Sequence, residues 1–278
     1  MESIRKANFV SKLTITVFAF VFLLLFIFPI YWLVVISLKN NVDIFAYPPP
    51  IFFSPNISSY LKVFAANNFI NAFISSLVVS FSTTIICLIV GLTAGYSVIT
   101  FNFKGKRALQ LMIMLLRIAP SISMVIPLFM IFSKLGLVNT RFSVIMTLVS
   151  FLLSFTVWLV LGYLRDVPKD LISAALIDGC GHLGILIRIV IPLTAPGIAA
   201  VGILVFSYAW NEYIISSVMT SATGQTLPVL IRSYLSEQTT IWNELAAVGV
   251  VISIPAILVT IFCQRHIIGG LTMGAVKG

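Results

Sequence analysis

The stretch RDVPKDLISAALIDGCGHLGILIRIVIPLTAPG, from Arg165 to Gly197, lies between two apolar runs that are each long enough to cross a bilayer. It combines charged residues with proline and glycine, whereas most of the remaining chain is apolar. Long connections without structure of their own are uncommon, so a segment of this length is expected to fold or to contact a partner. We interpret it as two short helices at one surface of a membrane protein.

The first of these helices is predicted to begin after Pro168. Asp166 and Asp170 stand near its start, where the helix dipole favours negative charge. The helix is predicted to stop at Asp178 and Gly179, because glycine is the usual residue just past a helix end.

The second helix is predicted to run from about His182 to Ile191. Pro192 and Pro196 then mark the start of the next membrane run, because a proline biases the residue before it away from helical geometry. Spacing alone leaves two interpretations open. The segment is either a structured cytoplasmic loop or an element that docks on another protein.

The composition places the whole chain in the membrane. Of its 278 residues, 60% are hydrophobic and 9% are charged, a balance far outside the range of soluble globular proteins. The net charge of +9 does not indicate nucleic-acid binding, because the basic residues stand at the ends of apolar runs and not together on one exposed face. The predicted fold class is therefore an all-α polytopic membrane protein.

Six candidate spans follow from the need for about 20 apolar residues per crossing. They are residues 13–37, 69–101, 108–133, 142–164, 197–220 and 245–264. Gly91, Ala94 and Gly95 give the second span a small-residue face for close helix packing. Pro120 and Pro127 lie in the middle of the third span and are predicted to kink it.

The basic residues predict the orientation of these spans. An even number of spans places both termini on one side of the membrane. Eleven of the 17 Lys and Arg residues fall on that side and five on the other, with Arg117 inside a span. Because cytoplasmic loops are enriched in Lys and Arg, both termini and the loop 165–196 are predicted to be cytoplasmic.

Three segments resemble parts of a known family. SAALIDGCGHLGILIRIVIPLTAPG, from Ser173 to Gly197, resembles the EAA loop of binding-protein-dependent ABC importer permeases. The C-terminal QRHIIGGLTMGAVKG looks like the tail of the maltose-type sugar permeases, and YAWNEY resembles a segment of their fifth membrane helix. Together the resemblances cover roughly residues 69 to 278.

The EAA-like loop matches the family motif at most positions, which are Ala174, Ala175, Asp178, Gly179, Pro192 and Pro196. Ser173 stands where a glutamate is common, so a salt bridge from that position to an ATPase is not implied. The resemblance implies that five residues couple the chain to a cytosolic ATPase: Ser173, Ala174, Ala175, Asp178 and Gly179.

The resemblance also implies a fold, a location and an assembly. The fold is that of a type I ABC importer permease with six transmembrane helices, placed in the plasma (inner) membrane of a prokaryote. The implied partners are a second homologous permease, two cytosolic ATPase subunits, an extracytoplasmic solute-binding protein and a sugar substrate. ATP and Mg would be bound by the ATPase subunits, so no cofactor is expected in this chain.

The chain divides into three regions on this interpretation. Residues 1–68 form the first transmembrane helix and an outer loop. Residues 69–264 form the permease core, with the coupling loop at 165–196. Residues 265–278 form a cytoplasmic C-terminal tail.

Two charged residues are predicted inside spans, Arg117 and Glu212. An unpaired charge near the bilayer centre costs about 2.5 to 3.5 kcal/mol, so such residues usually face a cavity or one another. We predict that they pair, or share a water, beside the translocation path, with Asn211 as a further hydrogen-bond partner. The alternative is that one charge snorkels to the interface while the other serves local packing.

No motif in the sequence indicates an enzyme. The sequence lacks G-x-x-x-x-G-K-[ST], and Lys104-Gly105-Lys106 lacks the glycine and hydroxyl that hold phosphates and Mg²⁺. His182 and His266 have no Cys or carboxylate neighbours at ligand spacing, so no metal site is expected. The alternative function is an ion- or proton-coupled secondary transporter, a class that usually shows internal repeats. We find no convincing repeat in the six spans.

Overall fold

The computed structural model describes the backbone of residues 2–66, 68–118, 121–221, 224–235 and 241–273. Side chains are described in the same ranges except for residues 2–11, 13, 117, 121 and 263–273. Within these ranges the regular structure is helical. The predicted all-α class is confirmed.

The helices are, in chain order, α1 (Glu2–Leu38), α2 (Asn41–Phe45), α3 (Ser58–Ala65), α4 (Phe69–Thr100), α5 (Lys106–Ile118), α6 (Ser121–Lys134), α7 (Arg141–Leu164), α8 (Lys169–Ile177), α9 (His182–Ile185), α10 (Ile191–Trp210), α11 (Ile214–Met219), α12 (Leu227–Ile231) and α13 (Trp242–Met273). Leu186–Val190 forms a π-helical turn between α9 and α10, and Arg232–Tyr234 forms a 3₁₀ turn after α12. The chain divides into two units. The core unit is Asn68–Leu230 with Pro255–Gly278, and the flanking unit is Met1–Asn67 with Ile231–Ile254.

Five helical segments among the described residues are long and apolar enough to span a membrane: Thr14–Leu38, Phe69–Thr100, Arg141–Leu164, His182–Trp210 and Trp242–Phe262. The first, second, third and fifth agree within about three residues with the predicted spans 13–37, 69–101, 142–164 and 245–264. Length and hydropathy therefore place most of the membrane helices correctly.

The predicted span 108–133 is not one helix. Two shorter helices occupy it, α5 with 13 residues and α6 with 14. Pro120 lies outside the described residues, and Pro127 lies inside α6. An internal proline is tolerated in a membrane helix where neighbouring groups satisfy the freed carbonyl. The predicted kink and the count of six spans stay predictions.

The helix predicted at residues 197–220 begins earlier than residue 197. One helical run extends from His182 to Trp210, so the prediction of a separate helix ending near Ile191 is wrong. Pro192 lies in the first turn of α10, directly after the π-helical turn. A proline lacks the N–H of the regular ladder and crowds the carbonyl four residues earlier, and a π turn interrupts that ladder at this place. The helix therefore continues past Pro192, although a proline often marks the boundary of a helix.

In the core unit, α4 packs against both α7 and α10, and α5 packs against α7. Glycines allow the close approach of α4 to α7. A Cβ added to Gly91 would lie 2.8 Å from Cγ2 of Thr156, and one added to Gly95 would lie 3.2 Å from Cγ1 of Val160. The small-residue face predicted for this helix is thus a helix-packing surface.

The flanking unit contains α1, α2, α3 and the part of α13 up to Ile254. The most apolar window of α1, within Thr14–Leu38, has none of its side chains buried in the chain, a surface that suits contact with lipid. The loop after this helix folds back on it, because the N–H of Asn56 donates to the carbonyl of Leu38 at 2.8 Å. Lys39 donates from Nζ to the carbonyl of Pro50 at 2.9 Å, and its ammonium lies 5.1 Å from the ring centre of Phe53.

Candidate functional site

Helix α8 lies in the first half of the segment from residue 165 to residue 197. Pro168, with φ −60° and ψ 128°, is the residue just before its first turn, and Asp170 lies within that turn. Proline is compatible with this place because the first N–H groups of a helix have no partner inside it. The predicted start after Pro168 is confirmed.

The C-terminal end of α8 is a Schellman motif. Gly179 has a positive φ of 82°, and its N–H donates to the carbonyl of Leu176 at 3.1 Å. The N–H of Cys180 donates to the carbonyl of Ala175 at 2.9 Å. These bonds satisfy carbonyls that otherwise lack a partner at a helix end. The predicted stop after Asp178 is therefore confirmed, and the φ angle explains why glycine follows it.

The five predicted coupling residues face in two directions. Ala175 is 6% exposed and belongs to the hydrophobic core together with Val167 and Ile185. The Ser173 hydroxyl donates to the carbonyl of Lys169, one turn earlier, at 3.1 Å. Four of the five are exposed to solvent: Ser173, Ala174, Asp178 and Gly179. The structure thus anchors α8 on one side and leaves the other side free for a partner.

Helix α8 also exposes apolar side chains outside the five predicted coupling residues. Ile177 is 87% exposed, and Leu171 is 44% exposed. Leu171, Ala174 and Ile177 recur at intervals of three, which places them along one side of the helix. That spacing is readable from the sequence. Apolar residues are so frequent in this chain, however, that the pattern does not stand out.

A cavity of about 940 Å³ lies in the core unit beside the start of α8. Its walls come from α5, the last turns of α7, residues 165–168 and the first turns of α10. Most of the lining is apolar, and Arg107, Arg165 and Asp166 also contribute to it. On the wall between α7 and α10, the ring of Tyr163 lies directly against the backbone of Gly197.

The predicted pathway residues Asn211 and Glu212 follow the end of α10. The side-chain N–H of Asn211 donates to the carbonyl of Ser207 at 2.8 Å. Oε2 of Glu212 accepts from the N–H of Ile215 at 2.9 Å and from that of Ser216 at 3.2 Å. Both side chains therefore satisfy backbone groups at helix ends, which are the last turn of α10 and the first turn of α11.

Glu212 lies after the helical run that ends at Trp210 and before α11, and its place inside the membrane stays a prediction. The side chain of Arg117 lies outside the described residues. Its pairing with Glu212 therefore stays a prediction.

Residues 87–272 match the family model described as "Binding-protein-dependent transport system inner membrane component". The match covers more than half of the 278 residues and includes α8 and α10. The chain belongs to this family. It is a multi-pass inner-membrane permease, a transport subunit and not an enzyme, and the alternative of a secondary transporter is not favoured.

Individual relatives of this permease cover nearly the whole chain. The trehalose transport system permease protein SugB of Mycobacterium tuberculosis is 33% identical over 258 residues, which are 90% of this chain and 92% of that protein. The trehalose/maltose transport system permease protein MalG of Thermococcus litoralis is 29% identical over 272 residues, which are 96% and 98% of the two chains.

A solved structure also has this fold. It is the crystal structure of a bacterial ABC transporter involved in the import of the acidic polysaccharide alginate, with a TM-score of 0.75 and 20% sequence identity. The likeness covers 94% of this permease and 98% of that chain. The predicted ABC importer permease fold is therefore confirmed.

The pairing of Arg117 with Glu212 in this permease is testable by charge exchange. If the pair is buried, Arg117→Gln or Glu212→Gln should each destabilise the protein by about 3 to 5 kcal/mol, and exchanging both charges should recover part of that loss. Thermal unfolding in detergent and uptake in proteoliposomes are the measurements. Additive losses without recovery would leave Glu212 only as the cap of α11.

Proposed function

We propose that this permease imports a sugar and is driven by ATP hydrolysis in a separate cytosolic ATPase that binds α8. The observation that supports the proposal most directly is the form of this helix. It carries Leu171 and Ile177 on an exposed side and ends in a tight reversal at Gly179. Exposed apolar side chains on a helix that is otherwise anchored are typical of a docking surface.

The chemistry of the exposed side fits insertion into a groove of a partner. Complete burial of one side chain such as Ile177 contributes roughly 1.5 to 3 kcal/mol. The short side chain of Ala174 lets the partner approach the helix backbone closely. On the opposite side, buried Ala175 fixes α8 against the core, so a displacement of α8 would be passed on to the membrane helices.

The proposed assembly contains a second homologous permease, two ATPase subunits and an extracytoplasmic solute-binding protein. This chain would form half of the translocation pathway. ATP and Mg²⁺ would be bound by the ATPase subunits, and their closure would pull α8 and change the access of the pathway from inward to outward. The names of the relatives, a trehalose and a trehalose/maltose permease, support a sugar, with a disaccharide as the first candidate.

Reconstitution of the complete complex in proteoliposomes tests this function. We expect ATP-dependent uptake of radiolabelled trehalose or maltose that requires the binding protein. The isolated permease should neither hydrolyse ATP nor bind a nucleotide analogue, because its sequence has no loop that holds phosphates.

Two results would reject the proposal. One is stoichiometric nucleotide binding by the isolated permease. The other is uptake that depends on a proton or sodium gradient and continues without ATP. In that case an ion gradient, and not ATP hydrolysis by the proposed ATPase, would drive transport.

A further inference from the structure

His182 lies in a small aromatic cluster close to the end of α8. The Tyr96 hydroxyl, near the C-terminal end of α4, lies 3.2 Å from Nδ1 of His182, at hydrogen-bond distance. The ring of Phe101 meets the imidazole edge-on, with ring centres 4.7 Å apart. Tyr96 is 5% exposed and His182 is half-buried. The contact therefore joins a buried residue of the core to the first residue of α9.

The contact between Tyr96 and His182 connects α4 to α8, because His182 follows α8 closely in the chain. Only Gly179, Cys180 and Gly181 separate it from Asp178, the C-cap residue of α8. The Schellman motif holds two of these three residues by backbone hydrogen bonds, so His182 is closely tied to α8. Tyr96 belongs to α4, which packs against both α7 and α10.

A hydrogen bond to the imidazole differs from the apolar contacts around it. The hydrophobic effect has no preferred direction, whereas a hydrogen bond has a preferred length and angle. The edge-on ring of Phe101 restricts the imidazole from a second direction. The end of α4 and the junction after α8 are thus held in one geometry.

We propose that the contact between Tyr96 and His182 is a positioning contact, which makes α4 follow α8 when the ATPases close. This inference rests on the proposed docking of an ATPase on α8 and names a residue pair that transmits the motion. Neither residue touches the substrate or ATP on this proposal. Without the contact, α8 would still move, but α4 would follow it only through apolar and aromatic contacts.

The first test is the number of sugar molecules imported per ATP hydrolysed. Tyr96→Phe keeps the ring and removes only the hydroxyl, and it should lower this ratio roughly threefold to tenfold, the range that loss of one hydrogen bond gives. His182→Ala should lower it at least as much. His182→Asn places a side-chain oxygen near the position of Nδ1 and should recover part of the loss.

Tyr208→Phe is the matched control. Tyr208 is 61% exposed on α10, and its ring packs edge-on against Phe155, so the same chemical change is made outside the aromatic cluster. This control should keep the wild-type ratio. A ratio that stays at the wild-type value in Tyr96→Phe and in His182→Ala would overturn the inference. So would a parallel loss of uptake and ATP hydrolysis, because that is the result of a purely structural role.

A second measurement follows the motion itself. Spin labels at Ile85→Cys on α4 and Lys169→Cys on α8 occupy exposed positions, and Ile85 lies about 17 Å along the helix from Tyr96. The background should carry alanine at the three native cysteines, Cys87, Cys180 and Cys263.

With ATP and vanadate, the wild-type complex should keep one narrow distance between the two labels. The Tyr96→Phe, His182→Ala double variant should shift or broaden it. Equal distance distributions in the two proteins would overturn the inference. A wild-type complex without ATP-driven uptake would instead reject the proposed function, and the inference with it.

Discussion

Replacing Gly179 by valine is expected to abolish sugar uptake while leaving membrane insertion intact. Gly179 holds a φ of 82° at the end of α8. A residue with a branched β-carbon rarely adopts that geometry, and forcing it there costs about 1 to 3 kcal/mol. The backbone would relax to a negative φ, which breaks the bonds to Leu176 and Ala175 and changes the direction in which the chain leaves α8.

The strain that valine would introduce at Gly179 can be distinguished from a steric clash with neighbouring atoms. A Cβ on Gly179 would meet no atom within 4 Å, so the strain comes from the backbone angle alone. Gly179→Asn should therefore keep most of the uptake, since asparagine tolerates positive φ. Gly184→Ala is the matched control, because Gly184 lies in α9, has no positive φ and also has open space around it.

The measurements are the amount of permease in the membrane fraction, the ATPase that co-purifies with it, and sugar uptake. We expect normal membrane amounts for all three variants and a loss of co-purified ATPase or of uptake only for Gly179→Val. Uptake at the wild-type rate in Gly179→Val would remove α8 from the coupling mechanism.

Both ends of α8 were predictable because they depend on neighbouring residues. Pro168 sets the start, and the pair Asp178-Gly179 sets the stop through a backbone angle that glycine adopts easily. The membrane helices were predictable for a similar reason, since each needs a long apolar run. The ends of α8 and the membrane helices thus depend on residues that are near one another in the sequence.

The helix predicted at residues 197–220 shows where local rules fail. Pro192 suggests a boundary, yet the π-helical turn before it lets one helix run from His182 to Trp210. The same helix ends earlier than hydropathy suggests, because Asn211 and Glu212 satisfy backbone groups at a break between helices. Polar side chains at helix ends are a known signal, but here they stand within a continuous apolar run.

The contacts that hold the site together were not predictable from spacing. Tyr96 and His182 are 86 residues apart in the chain, and only the packing of α4 brings them together. The exposure of Ile177 likewise depends on which side of α8 faces the core. The spacing of residues in the sequence shows which of them share one face of a helix. The direction in which that face points is set by the packing of the neighbouring helices.

Gly197→Leu is expected to destabilise the permease strongly. Gly197 is buried in α10, and a Cβ there would overlap Cγ and Cδ1 of Tyr163 and lie 2.7 Å from its Cε1. Cγ and Cδ1 are the ring atoms nearest the α7 backbone and cannot move away without a shift of that backbone or of the Tyr163 rotamer, so the side chain would force α7 and α10 apart. Overpacking of this kind typically costs about 1 to 3 kcal/mol.

The loss of stability should also affect α8, because α7 and α10 are the helices before and after the segment that carries α8. Thermal unfolding of the purified complex in detergent measures the stability, and co-purified ATPase measures the integrity of α8. Gly162→Ala is the matched control, since Gly162 lines the same cavity and a Cβ there would meet no atom within 4 Å. Adding Tyr163→Ala to Gly197→Leu removes the obstructing ring and should restore part of the stability. If Gly197→Leu unfolds at the wild-type temperature, the close contact between Tyr163 and Gly197 does not hold α7 against α10.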